Sequence, residues 1–243
     1  MHVERRGPVA WLTPQGWAAE IGLDELLSLA DTLSALADDG TTRVVALTGA
    51  FHRAWVGVAA ADARAVGALS ATMQRIAEAP LPLIAAIDST ALDAGLELAL
   101  ACDIRLAAIE VRFGFTGAET GRLPLAGGGV RLARIAGRAT ALQLLLSGET
   151  LGPGEALSRG LVSGVYPRDQ LAAVTDRLAT VIAGRGPIAV RYAKEAVARG
   201  ADLPLDAALR FETDLTVILQ STADRAEGVR AFTEKRPPTF TGS

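Results

Sequence analysis

The chain of 243 residues contains one cysteine, two histidines and no long apolar run. A single cysteine, Cys102, cannot form an internal disulfide and excludes a cysteine-rich metal site, so we predict no metal site. The longest apolar stretches stop far short of the roughly 20 residues that a membrane span needs. Because His2 and His52 are the only histidines, no Ser-His-Asp constellation can be assembled.

The chain also lacks an excess of positive charge, and its first residues do not predict a secretion signal. The net charge is −3 and the pI is near 5.5, so there is no general attraction to nucleic acid. The start, MHVERRGPVAWL, lacks the long apolar segment of a signal peptide. The glycines at 127–129 lack the Lys-Ser/Thr of a phosphate-binding loop. We therefore expect a cytoplasmic protein that binds neither nucleic acid nor membranes.

Strands and helices alternate over the first two thirds of the chain, and only helices follow. Apolar runs predict strands at Val9–Leu12, Arg43–Leu47, Leu83–Ile87, Ile104–Ala108 and Val111–Phe115. Helical spacing predicts Leu23–Ala37, Ala60–Ala79, Ala139–Ser147, Gln170–Ala183, Ile188–Arg199, Leu205–Ser221 and Asp224–Glu234. The alternation predicts an α/β core over residues 1–169 with largely parallel pairing, followed by a helical region over 170–243.

The most informative segment is Pro82–Ala107. It contains the buried strand Leu83–Ile87, a turn of small residues, and an apolar helix that begins between Asp93 and Gly95. This helix carries one carboxylate, Glu97, near its start. Small residues before a helix let a bound group approach the backbone, and the free N–H groups of the first turn point at it. The segment is therefore suited to holding an oxyanion.

This segment resembles the signature of the enoyl-CoA hydratase/isomerase (crotonase) superfamily, A-[IV]-N-G-x-A-x-G-G-G-x-E-L-A-x-x-C-D. Residues 86–103 read AIDSTALDAGLELALACD, in which two of the three glycines have become Asp93 and Ala94. The resemblance implies a spiral core of ββα turns. It also implies a helical C-terminal region that assembles the chain into a homotrimer or a dimer of trimers.

A second motif of the superfamily, L-T-G-x-x-x-R-A-F-x-A-G-A-D, aligns without a gap on residues 47–60, LTGAFHRAWVGVAA. The resemblance places the two oxyanion N–H donors on Ala59 and Ala94. Such donors stabilise the enolate oxygen that forms when an acyl thioester loses its α-proton, and one donor contributes roughly 2.7–4 kcal/mol. Val58 stands where the pattern has glycine, and its β-branched side chain narrows the site.

Hydratases of the superfamily use a second glutamate, which lies in the pattern F-G-x-P-E-x-x-x-G-x-x-P-x-x-G-G. The corresponding residues 113–128 read FGFTGAETGRLPLAGG, which puts Gly117 at the glutamate position. A glycine cannot act as a general acid or base. Glu119 is the nearest substitute. In an extended segment, however, residues 117 and 119 would lie about 6–7 Å apart.

Two carboxylates near the start of the helix each allow two interpretations. Glu97 is either a functional group, as a general acid or base or as a group that positions water, or an acid that favours the helix dipole and pairs with a nearby arginine. Its apolar neighbours indicate half-burial and favour the first interpretation. Asp93 is either a second carboxylate at the mouth of the site or, more simply, a helix N-cap.

Contacts with coenzyme A can be carried over in part. Arg53 is a candidate partner for the nucleotide phosphates, with a solvated surface arginine as the alternative. Residues 231–240, AFTEKRPPTF, resemble the superfamily's closing A-F-x-E-K-R-x-P-x-F, which reaches an adjoining subunit's CoA. Lys235 and Phe240 are therefore candidates for CoA binding, unless the tail merely packs.

Two functions follow from the sequence. The first is an enoyl-CoA hydratase or isomerase that acts through a thioester enolate, with no cofactor besides the coenzyme A of its substrate. The second is a non-catalytic or regulatory acyl-CoA binder. Because Gly117 removes one carboxylate, we expect hydration of crotonyl-CoA to be weak or absent while thioester binding persists. Isomerisation suffers less, since one carboxylate can move a proton between two carbons.

Overall fold

The computed structural model describes residues 1–15, 17, 20–52, 54–55 and 63–243. Its strands are β1 (His2–Arg6), β2 (Val9–Thr13), β3 (Glu20–Ile21), β4 (Val44–Thr48), β5 (Ala54–Trp55), β6 (Leu83–Ile87), β7 (Ala91–Leu92), β8 (Ile104–Ala108), β9 (Phe113–Gly114), β10 (Thr150–Leu151) and β11 (Gly164–Tyr166). Its helices are α1 (Leu23–Asp38), α2 (Ala63–Ala77), α3 (Ala94–Ala101), α4 (Gly128–Ala136), α5 (Arg138–Ser147), α6 (Pro153–Ser158), α7 (Arg168–Ala183), α8 (Pro187–Gly200), α9 (Leu205–Gln220) and α10 (Ala223–Glu234).

A ββα unit repeats four times along the chain. The units are β2-β3-α1, β4-β5-α2, β6-β7-α3 and β8-β9-α4, and the last contains a 3-10 turn at Gly117–Thr120. In each unit a five-residue strand is followed by a two-residue strand and a helix. This repetition is the spiral of ββα turns that the sequence predicted.

The long strands of the four units form one sheet with β1 and β11 at its edges, in the order β1-β2-β4-β6-β8-β11. In this sheet, neighbouring strands from β2 to β11 pair in parallel. The edge strand β1 pairs antiparallel with β2. The short strands pair separately, β3 with β5 and β7 with β9. Strand β6 is buried along its whole length because it is central in the sheet, and its end leads into β7 and α3.

Helix α3 is buried along all eight residues. The residues that follow it fix its end. The buried guanidinium of Arg105 donates to the carbonyl oxygen of Cys102 at 2.6 Å and to that of Leu161 at 2.7 Å. The Asp103 carboxylate accepts from the N–H of Leu83 at 2.7 Å and pairs with Lys194 at 2.8 Å. The C-D-I-R sequence therefore anchors α3 to the sheet and leaves the start of the helix to shape a cavity.

The helices after residue 168 differ in how they are buried. Helix α7 packs on the main sheet through Leu171, Thr175, Ala179 and Ala183. Helix α8 has no fully buried residue, and α9 has only Leu215. In the described part of the chain, every helix is too short or too polar to cross a bilayer.

Most predicted elements are confirmed, with shifts of a few residues at their ends. The strand predicted at Val111–Phe115 is only Phe113–Gly114, and the first residues of the helix predicted at Ala60–Ala79 lie outside the described residues. Strands β1, β3, β5, β7, β10 and β11 and helices α4 and α6 were not predicted. Helix α4 begins at Gly128, within a glycine run that local propensity assigns to a loop.

Candidate active site

The Glu97 carboxylate is fully buried and receives four N–H donors. Its Oε1 atom accepts from the backbone N–H groups of Ala126 at 2.8 Å and Gly128 at 2.7 Å. Its Oε2 atom accepts from the indole N–H of Trp55 at 2.8 Å and from the N–H of Leu125 at 3.2 Å. Glu97 has 0% exposure. The loop before α4 therefore wraps around this side chain and fixes its orientation, and no arginine pairs with it among the described residues.

Burial raises the pKa of Glu97 above its ordinary value of 4.5. The N–H donors of Gly128, Ala126, Trp55 and Leu125 act in the opposite direction, because they stabilise the ionised form. The raised pKa brings the group nearer to neutral pH, where a general acid or base works best. Perturbed carboxylates in cavities are candidates for function.

A cavity opens beside Glu97. Its walls combine apolar side chains with a few polar groups, as ligand-binding cavities commonly do. Among the described residues it is lined by Trp55, Asp93, Glu97, Phe115, Gly117, Ala118, Arg122, Leu123, Pro124, Leu125 and Leu145. The cavity thus joins the start of α3 to the turn at Gly117–Thr120 and the loop before α4.

Gly117 lies on the wall of this cavity, but its position has no room for a side chain. The N–H of Arg122 donates to the carbonyl oxygen of Gly117 at 2.8 Å, which closes the turn. A Cβ atom built on Gly117 would lie 2.5 Å from the carbonyl oxygen of Arg122. Placing a glutamate at 117 would therefore require the backbone of this turn to move.

Glu119 does not line the cavity among the described residues. The expectation of an extended segment around it is wrong, because Gly117–Thr120 forms a 3-10 turn. The Glu119 side chain is exposed and points toward Gly148, where its Cγ atom lies 3.7 Å from the place of an added Cβ atom. The turn thus separates Glu119 from Glu97 instead of bringing the two carboxylates together.

Asp93 lies beside Glu97 on the cavity wall in an unusual backbone conformation. Its φ is 46° and its ψ is −113°, which an L side chain rarely adopts. Asp93 occupies the N-cap position of α3, but its side chain makes no cap hydrogen bond, so the predicted N-cap role is wrong. Its Oδ1 atom accepts from the N–H of Thr116 at 2.9 Å, and its Oδ2 atom accepts from the Thr116 hydroxyl at 2.6 Å.

A known protein family matches most of the chain. The model of the family described as enoyl-CoA hydratase/isomerase matches residues 23–243. The chain belongs to this family. This match confirms the superfamily that the sequence patterns of residues 86–103 and 113–128 predicted.

Relatives of the chain cover nearly its whole length. It is 36% identical to the 2,3-dehydroadipyl-CoA hydratase of Escherichia coli K12 over 250 residues, which span 99% of the chain and 98% of the relative. It is 34% identical to the crotonyl-CoA hydratase of Syntrophomonas wolfei, over 89% of the chain and 87% of the relative. The crystal structure of an enoyl-CoA hydratase from Bacillus anthracis superposes with a TM-score of 0.91 at 35% identity, covering 100% of the chain and 99% of that structure. The crotonase fold is thereby confirmed.

The two predicted oxyanion donors of this family member differ in what the structure describes. Ala94 is the first residue of α3 and is buried. Its N–H belongs to the first helical turn, whose donors have no partner within the helix. Ala59, Val58 and Arg53 lie outside the described residues. The donor pair therefore stays a prediction, with one member placed at the start of α3.

Lys235 and Phe240 lie in a tail that folds back on its own chain. Lys235 is exposed and ends α10. The Phe240 ring approaches Gly186 and Gly228, and its carbonyl oxygen accepts from Arg43 at 2.7 Å. Neither Lys235 nor Phe240 lines the Glu97 cavity among the described residues. Their predicted CoA contacts are therefore to be sought at a neighbouring subunit, where the family resemblance puts them.

Sequence reasoning missed two residues of the site, Trp55 and Thr116. Trp55 stands where the family pattern has phenylalanine, and the indole adds an N–H donor that phenylalanine lacks. Thr116 stands where the pattern has proline, and it adds an N–H and a hydroxyl. Both replacements add polar donors to a family position that has none, and this was the available signal.

Proposed function

We propose that the chain acts on acyl-CoA thioesters by carrying a proton to and from carbon α, with Glu97 as the acid–base group. The observation that carries this proposal is the buried Glu97 carboxylate on the wall of the cavity at the start of α3. Ala94 and Glu97 both lie in the first turn of α3, whose backbone N–H groups point out of the start of the helix. The Ala94 N–H and the carboxylate can therefore face the same thioester.

The proposed reaction requires only the transfer of one proton. Glu97 takes the proton from carbon α, and the C–H electron pair moves into the thioester, whose oxygen becomes negative. The N–H of Ala94, together with that of Ala59, stabilises this oxygen. In an isomerisation of a 3-enoyl thioester, Glu97 returns the proton to carbon γ and the double bond moves next to the thioester. These steps use no cofactor besides the coenzyme A of the substrate.

A second candidate function is a non-catalytic acyl-CoA binder. A carboxylate offers about four lone-pair positions, and the four N–H donors around Glu97 occupy that number. One donor has to give way before Glu97 can accept a proton from substrate. Leu125, which has the longest of the four bonds at 3.2 Å, is the donor most easily released.

The test is deuterium exchange at carbon α of butyryl-CoA in D₂O, read by proton NMR, with binding measured in parallel by calorimetry. We expect both binding and exchange. The exchange rate should rise with pH through the raised pKa of Glu97 and then level off, because only ionised Glu97 accepts the proton. Binding with neither exchange nor isomerisation of a 3-enoyl-CoA would favour the second candidate. An absence of binding to any acyl-CoA would exclude both functions.

We further propose that the chain works as a homotrimer or a dimer of trimers through its C-terminal helices. Phe232 on α10 is 87% exposed, Val197 on α8 is 76% exposed and Leu205 on α9 is 75% exposed. Exposed apolar side chains of this size are typical of interaction surfaces when they share one region. Light scattering should give three or six times the chain mass of 25.1 kDa. A mass of one chain would contradict the proposal.

We also propose a cytoplasmic location, on the basis of the single cysteine.

A further inference from the structure

Three neighbouring positions of the site depart together from the family pattern. Asp93 replaces a glycine, Thr116 replaces a proline, and Gly117 replaces the second glutamate. Thr116 donates two hydrogen bonds to the Asp93 carboxylate, and Gly117 follows Thr116 in the chain. We propose that Asp93 supplies the second carboxylate of the site in place of residue 117. This inference rests on the proposed function, because it adds a second acid–base group to the same cavity.

Thr116 holds the Asp93 carboxylate through both of its oxygen atoms. The backbone N–H of Thr116 donates to Oδ1 at 2.9 Å, and its hydroxyl donates to Oδ2 at 2.6 Å. A proline at 116 has neither group and could make neither bond. Each oxygen of Asp93 accepts only one hydrogen bond from described residues, so it keeps acceptor capacity for a water or substrate.

The space around the two carboxylates fits this assignment. Residue 117 cannot carry a side chain unless the turn moves, because an added Cβ atom would lie only 2.5 Å from the carbonyl oxygen of Arg122. Asp93 and Glu97 both line the cavity, and the N–H of Glu97 donates to the carbonyl oxygen of Asp93 at 2.9 Å. Asp93 immediately precedes α3 and Glu97 lies in its first turn, so both residues line the cavity from the start of the helix. The carboxylate missing at 117 is thus replaced from across the cavity.

The backbone at Asp93 supports a functional role. Its positive φ is a conformation that glycine adopts readily and that other residues adopt at a cost. A side chain kept there despite the strain, and held by two hydrogen bonds, indicates that the carboxylate itself is used. Strained backbone of this kind concentrates at active sites.

With two carboxylates the site can add water to an enoyl thioester. Asp93 takes a proton from water as the water oxygen bonds to carbon β. The π electron pair of the double bond moves into the thioester and forms the enolate. Glu97, in its protonated form, then gives its proton to carbon α as the enolate collapses. Hydration of enoyl-CoA is therefore expected, in contrast to the expectation drawn from Gly117 alone.

The experiment compares hydration of crotonyl-CoA with α-proton exchange of butyryl-CoA in wild type and variants. Exchange needs Glu97 alone, whereas hydration needs both carboxylates. We expect Asp93→Asn to lower kcat for hydration by about 10²-fold or more and to leave exchange within a few-fold of wild type. Thr116→Val, which removes only the hydroxyl bond, should lower kcat by a smaller factor. Glu110→Gln, on an exposed surface carboxylate paired with Arg168, should change neither rate.

Asp93→Gly separates chemistry from folding. It removes the carboxylate and also the backbone strain, so hydration should fall while the unfolding temperature stays at or above that of wild type. Wild-type hydration in Asp93→Asn would overturn the inference, as would a wild type that exchanges the α-proton without hydrating crotonyl-CoA. Loss of hydration in Glu119→Gln with Asp93→Asn unaffected would assign the role to Glu119 instead. A wild type that neither binds nor exchanges would remove the proposed function itself.

Discussion

Replacing Glu97 by glutamine is expected to lower the rate of α-proton exchange by about 10²–10⁴-fold, the range for loss of a general acid or base. Glutamine keeps the shape of the side chain, but its amide cannot act as a general base near neutral pH. Exchange of butyryl-CoA in D₂O measures the loss, and calorimetry should still detect thioester binding. Exchange at the wild-type rate in Glu97→Gln would show that another group carries the proton.

The same substitution should lower stability at acidic pH. The NH₂ group of glutamine would face two N–H donors whichever way the amide turns, and each unsatisfied donor costs about 1–3 kcal/mol. Because burial raises the pKa of Glu97, the stability that this group contributes is full below pH 4.5 and declines as the pH rises through the raised pKa. The stability difference between wild type and Glu97→Gln should therefore shrink with rising pH, as measured by urea unfolding.

Trp55→Phe is the matched control for Glu97. It keeps an aromatic ring and the three backbone donors, and it removes only the indole N–H that stabilises the ionised carboxylate. The exchange reaction should survive, with its pH profile displaced to higher pH. A profile that does not move would mean that the titration seen in exchange does not belong to Glu97.

Gly95→Ala is expected to destabilise the protein by about 3 kcal/mol or more, through overpacking of its core. An added Cβ atom would overlap the carbonyl oxygen of Phe51 and lie 2.5 Å from its carbonyl carbon. Both are backbone atoms of a fully buried residue, so neither can turn aside as a flexible side chain would. For a chain of this size the unfolding temperature should fall by roughly 10 °C, as measured by thermal denaturation.

Gly67→Ala is the control for this prediction. Gly67 lies on the exposed side of helix α2, where an added Cβ atom meets no atom of the described residues within 4 Å. Alanine there should stabilise the helix by up to about 1 kcal/mol, because glycine is the poorer helix former. If Gly95→Ala melted within about 2 °C of Gly67→Ala, the close approach of α3 to Phe51 would not limit the residue at 95.

Residues 93–95 stand where the family pattern has three glycines, and the structure explains why one glycine is needed there. The sequence retains glycine only at 95, while positions 93 and 94 carry Asp and Ala. Nothing in the local pattern says why the third glycine is the one that is kept. The reason is the contact with Phe51, which lies 44 residues earlier in the chain.

Local periodicity predicted four of the six strands of the main sheet, β2, β4, β6 and β8, and most helices, because apolar spacing reports which face of an element is buried. It failed at α4, where glycines with poor helix propensity begin the helix. There the N–H of Gly128 bonds to Glu97, 31 residues away, and this tertiary contact outweighs propensity.

The sequence by itself determined the family, the repeated strands and helices of the core, and the buried helix that presents Glu97. It also determined that residue 117 can supply no carboxylate, because a missing side chain needs no structure to be noticed. Only the tertiary structure decided which N–H groups surround Glu97, that the turn at 117 is closed to side chains, and that Thr116 binds Asp93 instead of leaving it to cap α3. The contacts of Glu97 and Asp93 join residues 23 to 42 positions apart. Local pattern cannot specify such contacts, since they depend on how the turns of the spiral stack.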